Sequence, residues 1–147
     1  RDSVAAGLAA VAVASAGTDP WVLVHDAARP CLPAADLEAL LAALPESPDG
    51  ALLAAPVADT LKLEAGDGRV ARTIPRDWLW HALTPQAFRL TRLRAGLAAA
   101  PAATDESHAV EALGDRPRLV TGAGTNVKIT RPADLELARR LLQEGRP

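Results

Sequence analysis

Two apolar runs, Trp21 to His25 and Ala51 to Val57, each stop abruptly at a polar loop, and this pattern constrains the fold more than any other feature of the chain. A strand with one wet face alternates polar and apolar residues, so a run with no polar position predicts a strand covered on both faces. Helical stretches fall around and between these runs. Ser3 to Ala16 carries Val4, Leu8 and Val11 at helical spacing, with Ser3 as an N-cap and Gly17 as the stop. Asp36 to Leu44 reads as a short amphipathic helix, Gln86 to Ala100 and Asp105 to Leu113 as two more, and Pro132 opens a last one to Leu142. Leu119-Val120 and Asn126 to Ile129 read as short strands. Strands alternating with helices predict an α/β domain with a mostly parallel sheet and helical crossovers.

One stretch breaks the rhythm. Thr60 to Glu64 and Arg69 to Ile74 alternate polar with apolar residues around Gly66-Asp67-Gly68, which is a hairpin signal. A lone hairpin is marginal in water, so residues 57–78 are expected to form an arm that packs on the domain body or on another subunit.

The 147 residues suit one domain, 1–147, and a hydrophobic content of 49% supports a real core. A net charge of −2 supplies no basic field for nucleic acid, and the apolar runs fall far short of the ~20 residues of a membrane span. Cys31 is the single cysteine, so neither an internal disulfide nor a multi-cysteine metal site can form, and the start Arg1-Asp2-Ser3 carries no apolar signal segment. A cytoplasmic location is expected. The sequence contains no Met, which leads to the further expectation that the natural chain starts upstream of Arg1.

In open α/β sheets, ligands bind outside the carboxyl ends of the strands. The polar residues there are Asp26 and Arg29 after the first apolar run, Asp59 and Thr60 after the second, and Lys128, Thr130 and Arg131 near the last. A carboxylate, a lysine and an arginine brought together could hold a metal and phosphate oxygens. Each residue also has a plainer reading. Asp26 could simply cap a turn or pair with Arg29. Lys128 could snorkel from an edge strand, although only Lys62 and Lys128 among the 16 basic residues are lysine, which favours a need for a compact charge. Thr104-Asp105-Glu106 matches a helix start with Thr104 as cap, which is sufficient without any function. His25, His81 and His108 lie in separate segments without zinc-ligand spacing, and Trp78 and Trp80 read as packing residues.

Five strings in order, VLVHDAARP (22–30), APVADT (55–60), LWHALTPQAF (79–88), ATDESHAVE (103–111) and NVKITRPADLELA (126–138), closely resemble the 2-C-methyl-D-erythritol 4-phosphate cytidylyltransferase family. The resemblance implies a Rossmann-like nucleotidyltransferase fold and a homodimer joined through the hairpin arm. It implies transfer of CMP from CTP to methylerythritol phosphate with Mg²⁺, releasing pyrophosphate, in isoprenoid precursor synthesis. Carried over residue by residue, Ser3 matches a serine near the CTP ribose and base, Asp26 the aspartate associated with CTP and its Mg²⁺, and Arg29 a support of that loop. Arg76 matches an arginine at the base of the arm that reaches the neighbouring subunit's site and holds the alcohol phosphate. Thr104, Asp105 and Glu106 match a segment lining the same substrate. Lys128 matches the lysine that positions the nucleophilic phosphate, with Thr130 beside it.

The family also opens with a strand, a glycine-rich loop bearing an arginine, and a further lysine, none of which occurs here. A preceding strand–loop–helix segment of about 80 residues is therefore expected. Two other readings stand beside the family's own: ribitol phosphate cytidylyltransferase, a sister with a different alcohol phosphate, and a non-catalytic dimerising fragment.

Overall fold

A computed structural model describes residues 2–145, so the two ends of the expected 1–147 domain lie outside the described residues. The body is a four-stranded sheet in the order β1 (Trp21–Val24), β5 (Trp80–Arg89), β2 (Ala51–Pro56), β6 (Arg118–Thr121). β5 runs antiparallel to both β1 and β2, and β2 runs parallel to β6, so three strands share one direction and β5 alone opposes them. The α/β architecture with a mostly parallel sheet is thus present, with β5 inserted as the exception.

Side-chain alternation distributes the strands between two apolar layers. Trp21 and Leu23 pack with Ala51, Leu53, Leu83 and Ala87 against Leu40 and Leu44, from α2 (Ala34–Ala43) and the 3-10 turn Leu44–Glu46. Val22 and Val24 pack on the other face with Phe88, Leu8 of α1 (Asp2–Ala14), Leu90 and Leu93 of α3 (Leu90–Ala99), and Val110 of α4 (Glu106–Glu111). Helices on both faces are what an apolar strand set requires. α3 and α4 approach closely because Gly96 has no side chain: a Cβ there would lie 2.6 Å from the Ala109 carbonyl oxygen. Helix α5 (Pro132–Gln143) buries Ala138, whose carbonyl accepts from Cys31 Sγ at 3.6 Å.

β3 (Leu61–Glu64) and β4 (Val70–Ile74) pair only with each other, as a separate two-stranded sheet. Gly66 and Gly68 take positive φ at its tip, +93° and +81°, and the expected hairpin is present. The Val57 amide donates to the Leu79 carbonyl at 3.0 Å and closes the arm's base, leaving most of the arm exposed.

Several local expectations fail for identifiable reasons. Residues 86–89 are the end of β5 and not the start of a helix; α3 begins at Leu90. Their Gln-Ala-Phe-Arg composition suits either state, and the slot between β1 and β2 decides it. Residues 126–129 form a loop stapled by the Ile129 amide on the Ala28 carbonyl at 2.8 Å, because no strand lies alongside to complete a ladder. Ser3 lies inside the first turn of α1 and does not cap it, and α4 is capped by Asp105, one residue after the expected Thr104. β1 is half-buried along its length, since it sits at the sheet edge with one neighbour. Trp78 is 89% exposed and so is not a packing residue of the body; Trp80 opens β5 at 37%.

Candidate active site

The carboxyl end of β1, the 126–128 loop, the middle of β5 and the start of α4 enclose a cleft of about 400 Å³. Its volume lies in the range of small-molecule sites. Ser3, His25, Asp26, Arg29, Thr84, Gln86, Thr104, Asp105, Glu106 and Lys128 contribute to its walls. Seven of the residues singled out in the sequence therefore meet in one place, although they span from position 3 to position 128.

Lys128 is presented by a loop, and two tethers hold that loop against the end of β1. Arg29 donates from a guanidinium nitrogen to the Asn126 carbonyl at 2.7 Å, and the Ile129 amide holds Ala28 from the other side of Lys128. Lys128 Nζ then reaches Asp26 Oδ2 at 2.7 Å. That contact, aided by the Ala28 amide on Oδ1 at 3.3 Å, holds the Asp26 carboxyl below the usual range for aspartate. Asp26 thus forms the turn of its plainer reading and also lines the cleft, and its side-chain partner is Lys128 and not Arg29. Burial lowers the Arg29 pKa, with the Asp26 charge opposing the shift.

Behind Asp26 runs a short polar chain. The Asp26 amide donates to Thr84 Oγ1 at 3.0 Å, and Thr84 Oγ1 lies 2.9 Å from His25 Nδ1. His25 Nε2 faces the Arg29 carbonyl at 3.0 Å. A carbonyl can only accept, so in the neutral ring Nε2 carries the proton and Nδ1 accepts from the Thr84 hydroxyl. His25 is thereby a strut of the loop, a role that its isolated place in the sequence does not suggest.

Across the cleft, Thr104 is exposed while Asp105 and Glu106 are half-buried. Asp105 Oδ1 accepts from the His108 amide at 2.9 Å and from Ser107 Oγ at 3.0 Å. Glu106 is pushed up from its ordinary pKa chiefly by burial, with the neighbouring charges of Asp105 and Asp26 adding to the effect.

Two expected residues lie elsewhere. Thr130 turns away to the start of α5, where its hydroxyl and amide both donate to Asp134 at 3.0 Å. Arg76 is exposed at the base of the arm, its guanidinium donating to the Val57 carbonyl at 3.3 Å, and does not line the cleft of its own chain. Asp59 and Thr60 lead into the arm and also stay outside. The residues missed were Thr84 and Gln86. Both lie in the LWHALTPQAF string, and Gln86, polar among apolar neighbours, was the available signal.

The family model for 2-C-methyl-D-erythritol 4-phosphate cytidylyltransferase matches residues 1–144. The chain belongs to this family. The relative from Dechloromonas aromatica, so named, is 54% identical over 142 residues, covering 97% of this chain and 62% of that protein. A crystal structure of 4-diphosphocytidyl-2C-methyl-D-erythritol synthase superposes with a TM-score of 0.85 at 43% identity, covering 95% of this chain and 64% of that one. The Thermus thermophilus cytidylyltransferase gives 0.76 at 36% identity, covering 91% and 67%. The chain thus spans about three-fifths of the length of the curated relatives it matches. Among the described residues, no helix is long and apolar enough to cross a membrane.

A Mg²⁺ site needs few protein ligands, since the ion usually takes one or two carboxylates and completes its shell with waters and substrate phosphates. No cluster of three or more acidic, His or Cys side chains able to cage a metal occurs among the described residues. Asp26 could serve in this sparser arrangement: its pKa is depressed, it faces the cleft, and it accepts from Lys128 at one oxygen and the Ala28 amide at the other.

Proposed function

We propose that this chain carries the alcohol-phosphate half of a cytidylyltransferase site, in a protein that transfers CMP from CTP to 2-C-methyl-D-erythritol 4-phosphate and releases pyrophosphate. The observation that carries the reading is the Asp26–Lys128 pair at 2.7 Å in a cleft whose far wall is Thr104 and Glu106. In this reaction a phosphate oxygen of the alcohol attacks the α-phosphorus of CTP in line, and pyrophosphate leaves. A phosphate monoester is already ionised at neutral pH, so no general base is needed. Catalysis is then placement of two anions plus neutralisation of their charge.

The chain's residues suit that task as follows. Lys128 would be a compact donor for the attacking phosphate, released from Asp26 when a cation takes its place there. Ser3, on the cleft wall, would meet the ribose and base of CTP, and Arg29 holds the 126–128 loop against the end of β1. Glu106, partly shielded from water, can accept from the polyol hydroxyls. Asp26 would hold Mg²⁺, which when bound supplies positive charge beside the triphosphate.

The cleft is short of cations by itself. Asp26, Asp105 and Glu106 outnumber Arg29 and Lys128 on its walls, yet both proposed ligands are anions. More positive charge than the cleft holds is needed, and Arg76, exposed beside an exposed Trp78, would supply part of it. The arm would cross to a second copy, bury Trp78 there and deliver Arg76 to the partner's alcohol phosphate, making the protein a homodimer with shared sites. The enzyme would work in the cytoplasm, where CTP is made.

The test is pyrophosphate release from CTP by the full-length protein. Release that depends on methylerythritol phosphate and Mg²⁺, and not on ribitol phosphate, is the expected result. Equal or greater release with ribitol phosphate, or none with either alcohol, overturns the assignment.

A further inference from the structure

We propose that Gln86 is a positioning residue that holds the Thr104–Glu106 wall of the cleft at the angle needed to receive the alcohol phosphate; this rests on the functional reading above. Gln86 is 1% exposed, in the middle of β5, opposite Val24 of β1 and Leu52 of β2. A polar side chain there costs stability unless all its groups are paired. All of them are. Nε2 donates to Asp105 Oδ2 at 3.0 Å and to the Leu83 carbonyl at 3.4 Å, while Oε1 accepts from the Ser107 amide at 2.8 Å. A carboxylate and a carbonyl can only accept and an amide N–H can only donate, so the side-chain amide has one permitted orientation.

The consequence falls on α4. This helix has six residues, too few to keep a conformation of its own, so its angle to the sheet depends on what holds each end. Its far part is pinned by the close approach of Gly96 to the Ala109 carbonyl. Its beginning is pinned by Gln86 alone among buried side chains of β5, through Asp105 and Ser107 together. Asp105 is consumed by this work: Oδ2 belongs to Gln86, and Oδ1 to the His108 amide and the Ser107 hydroxyl. The groups left to meet a ligand are the Glu106 carboxyl and the exposed Thr104 hydroxyl, which lies 3.3 Å from His108 Nδ1 of α4, and Gln86 sets where they stand.

The Gln86–Asp105 pair can be inverted without changing net charge, and that gives the test, made on the full-length protein. Gln86→Glu sets a carboxylate against Asp105, and Asp105→Asn, with its oxygen kept on the His108 amide, sets one NH₂ against another. Each single variant should raise KM for methylerythritol phosphate about tenfold, the equivalent of one lost buried hydrogen bond to a charged group, with KM for CTP within twofold. Each should also speed hydrogen exchange at the Ser107 amide. The double variant Gln86→Glu/Asp105→Asn restores donor to acceptor and should bring both the KM and the Ser107 protection back to within threefold of wild type. Single variants with an unchanged KM overturn the proposal. So does a double variant that regains Ser107 protection but not the KM, since Asp105 would then be touching substrate itself. A wild-type protein that shows no dependence on the alcohol phosphate overturns the functional reading, while exchange at Ser107 in the four proteins still decides whether Gln86 holds the wall.

Discussion

The cleft and the arm of this molecule are built in opposite ways. In the cleft, charged groups are held by other parts of the same chain: Lys128 on Asp26, Arg29 on the Asn126 carbonyl, Asp105 on Gln86 and the α4 amides. The arm has a closed base and an ordered tip, yet its Trp78 is 89% exposed, with Leu63, Val70 and Leu79 also open to water. A surface of this kind is poorly suited to solvent and well suited to a partner. The difference separates a region whose charged groups already have partners within the chain from one whose apolar groups are left open to water.

The largest effect that could break this comparison is complementation between two dead variants of the full-length protein. Lys128→Ala should lower turnover about 10²–10³-fold, and Lys128→Arg should not fully restore it, because a planar fork cannot replace a compact ammonium. Arg76→Ala should weaken alcohol-phosphate binding far more than CTP binding. Mixed after confirmed subunit exchange, the Lys128→Ala and Arg76→Ala subunits should regain activity that neither has alone, since one site in each heterodimer carries both residues. A mixture as inactive as its parents places Arg76 in its own subunit's site and removes the contrast between the regions.

Trp78→Asp sharpens the same contrast from the arm's side. Sedimentation should show a shift from the proposed dimer to monomer, while the thermal midpoint of the isolated subunit stays within a few degrees, because Trp78 is 89% exposed and adds little to its own subunit's core. Loss of folding would mean that the arm is part of the core after all.

A smaller, purely structural effect is expected at Gly50, which precedes β2 at φ +94° and where an added Cβ would run into the Phe88 ring and the Ala87 carbonyl oxygen. Gly50→Ala should cost about 2–4 kcal/mol in denaturant unfolding, through the backbone conformation and the crowded contact together. The corresponding change at Gly66, in the open tip of the arm, meets no neighbour within 4 Å and should cost only the backbone part. Equal losses at the two positions would contradict the packing difference between body and arm.

The smallest effect concerns pH. Glu106 is raised, first by burial, so the folded state keeps its proton to higher pH than the unfolded chain does. Wild-type stability should therefore decline as pH rises from the ordinary glutamate value through the raised folded one, and Glu106→Gln should lack that component. Asp26 has the opposite sign: its depressed pKa contributes stability above the ordinary aspartate value, which is lost as pH falls through the folded one. A Glu106→Gln unfolding curve parallel to wild type across this window would show that the cleft does not shield Glu106.

Much of this molecule was legible in the residues alone, and the boundary has a physical reason. Apolar runs ending at polar loops determined strands β1 and β2 and where ligands would gather, because apolar strands need helices to cover them and backbone ends must turn at the sheet rim. The Gly-Asp-Gly tip determined the hairpin, since few other residues adopt positive φ there. Asp26, Arg29 and Lys128 were identified as candidates on their positions after strands. What sequence left open were properties that depend on two distant segments at once. Residues 86–89 became strand because a slot between β1 and β2 was waiting for them. Lys128 came to Asp26 by way of a loop with no strand character, held by Arg29 and Ala28. Asp105 displaced Thr104 as the cap because Gln86, 19 positions earlier, meets its second oxygen. Local preference acts within a few residues of the chain, whereas the partners of a buried polar group are set by which elements lie across from it, and only the packed tertiary structure decides that.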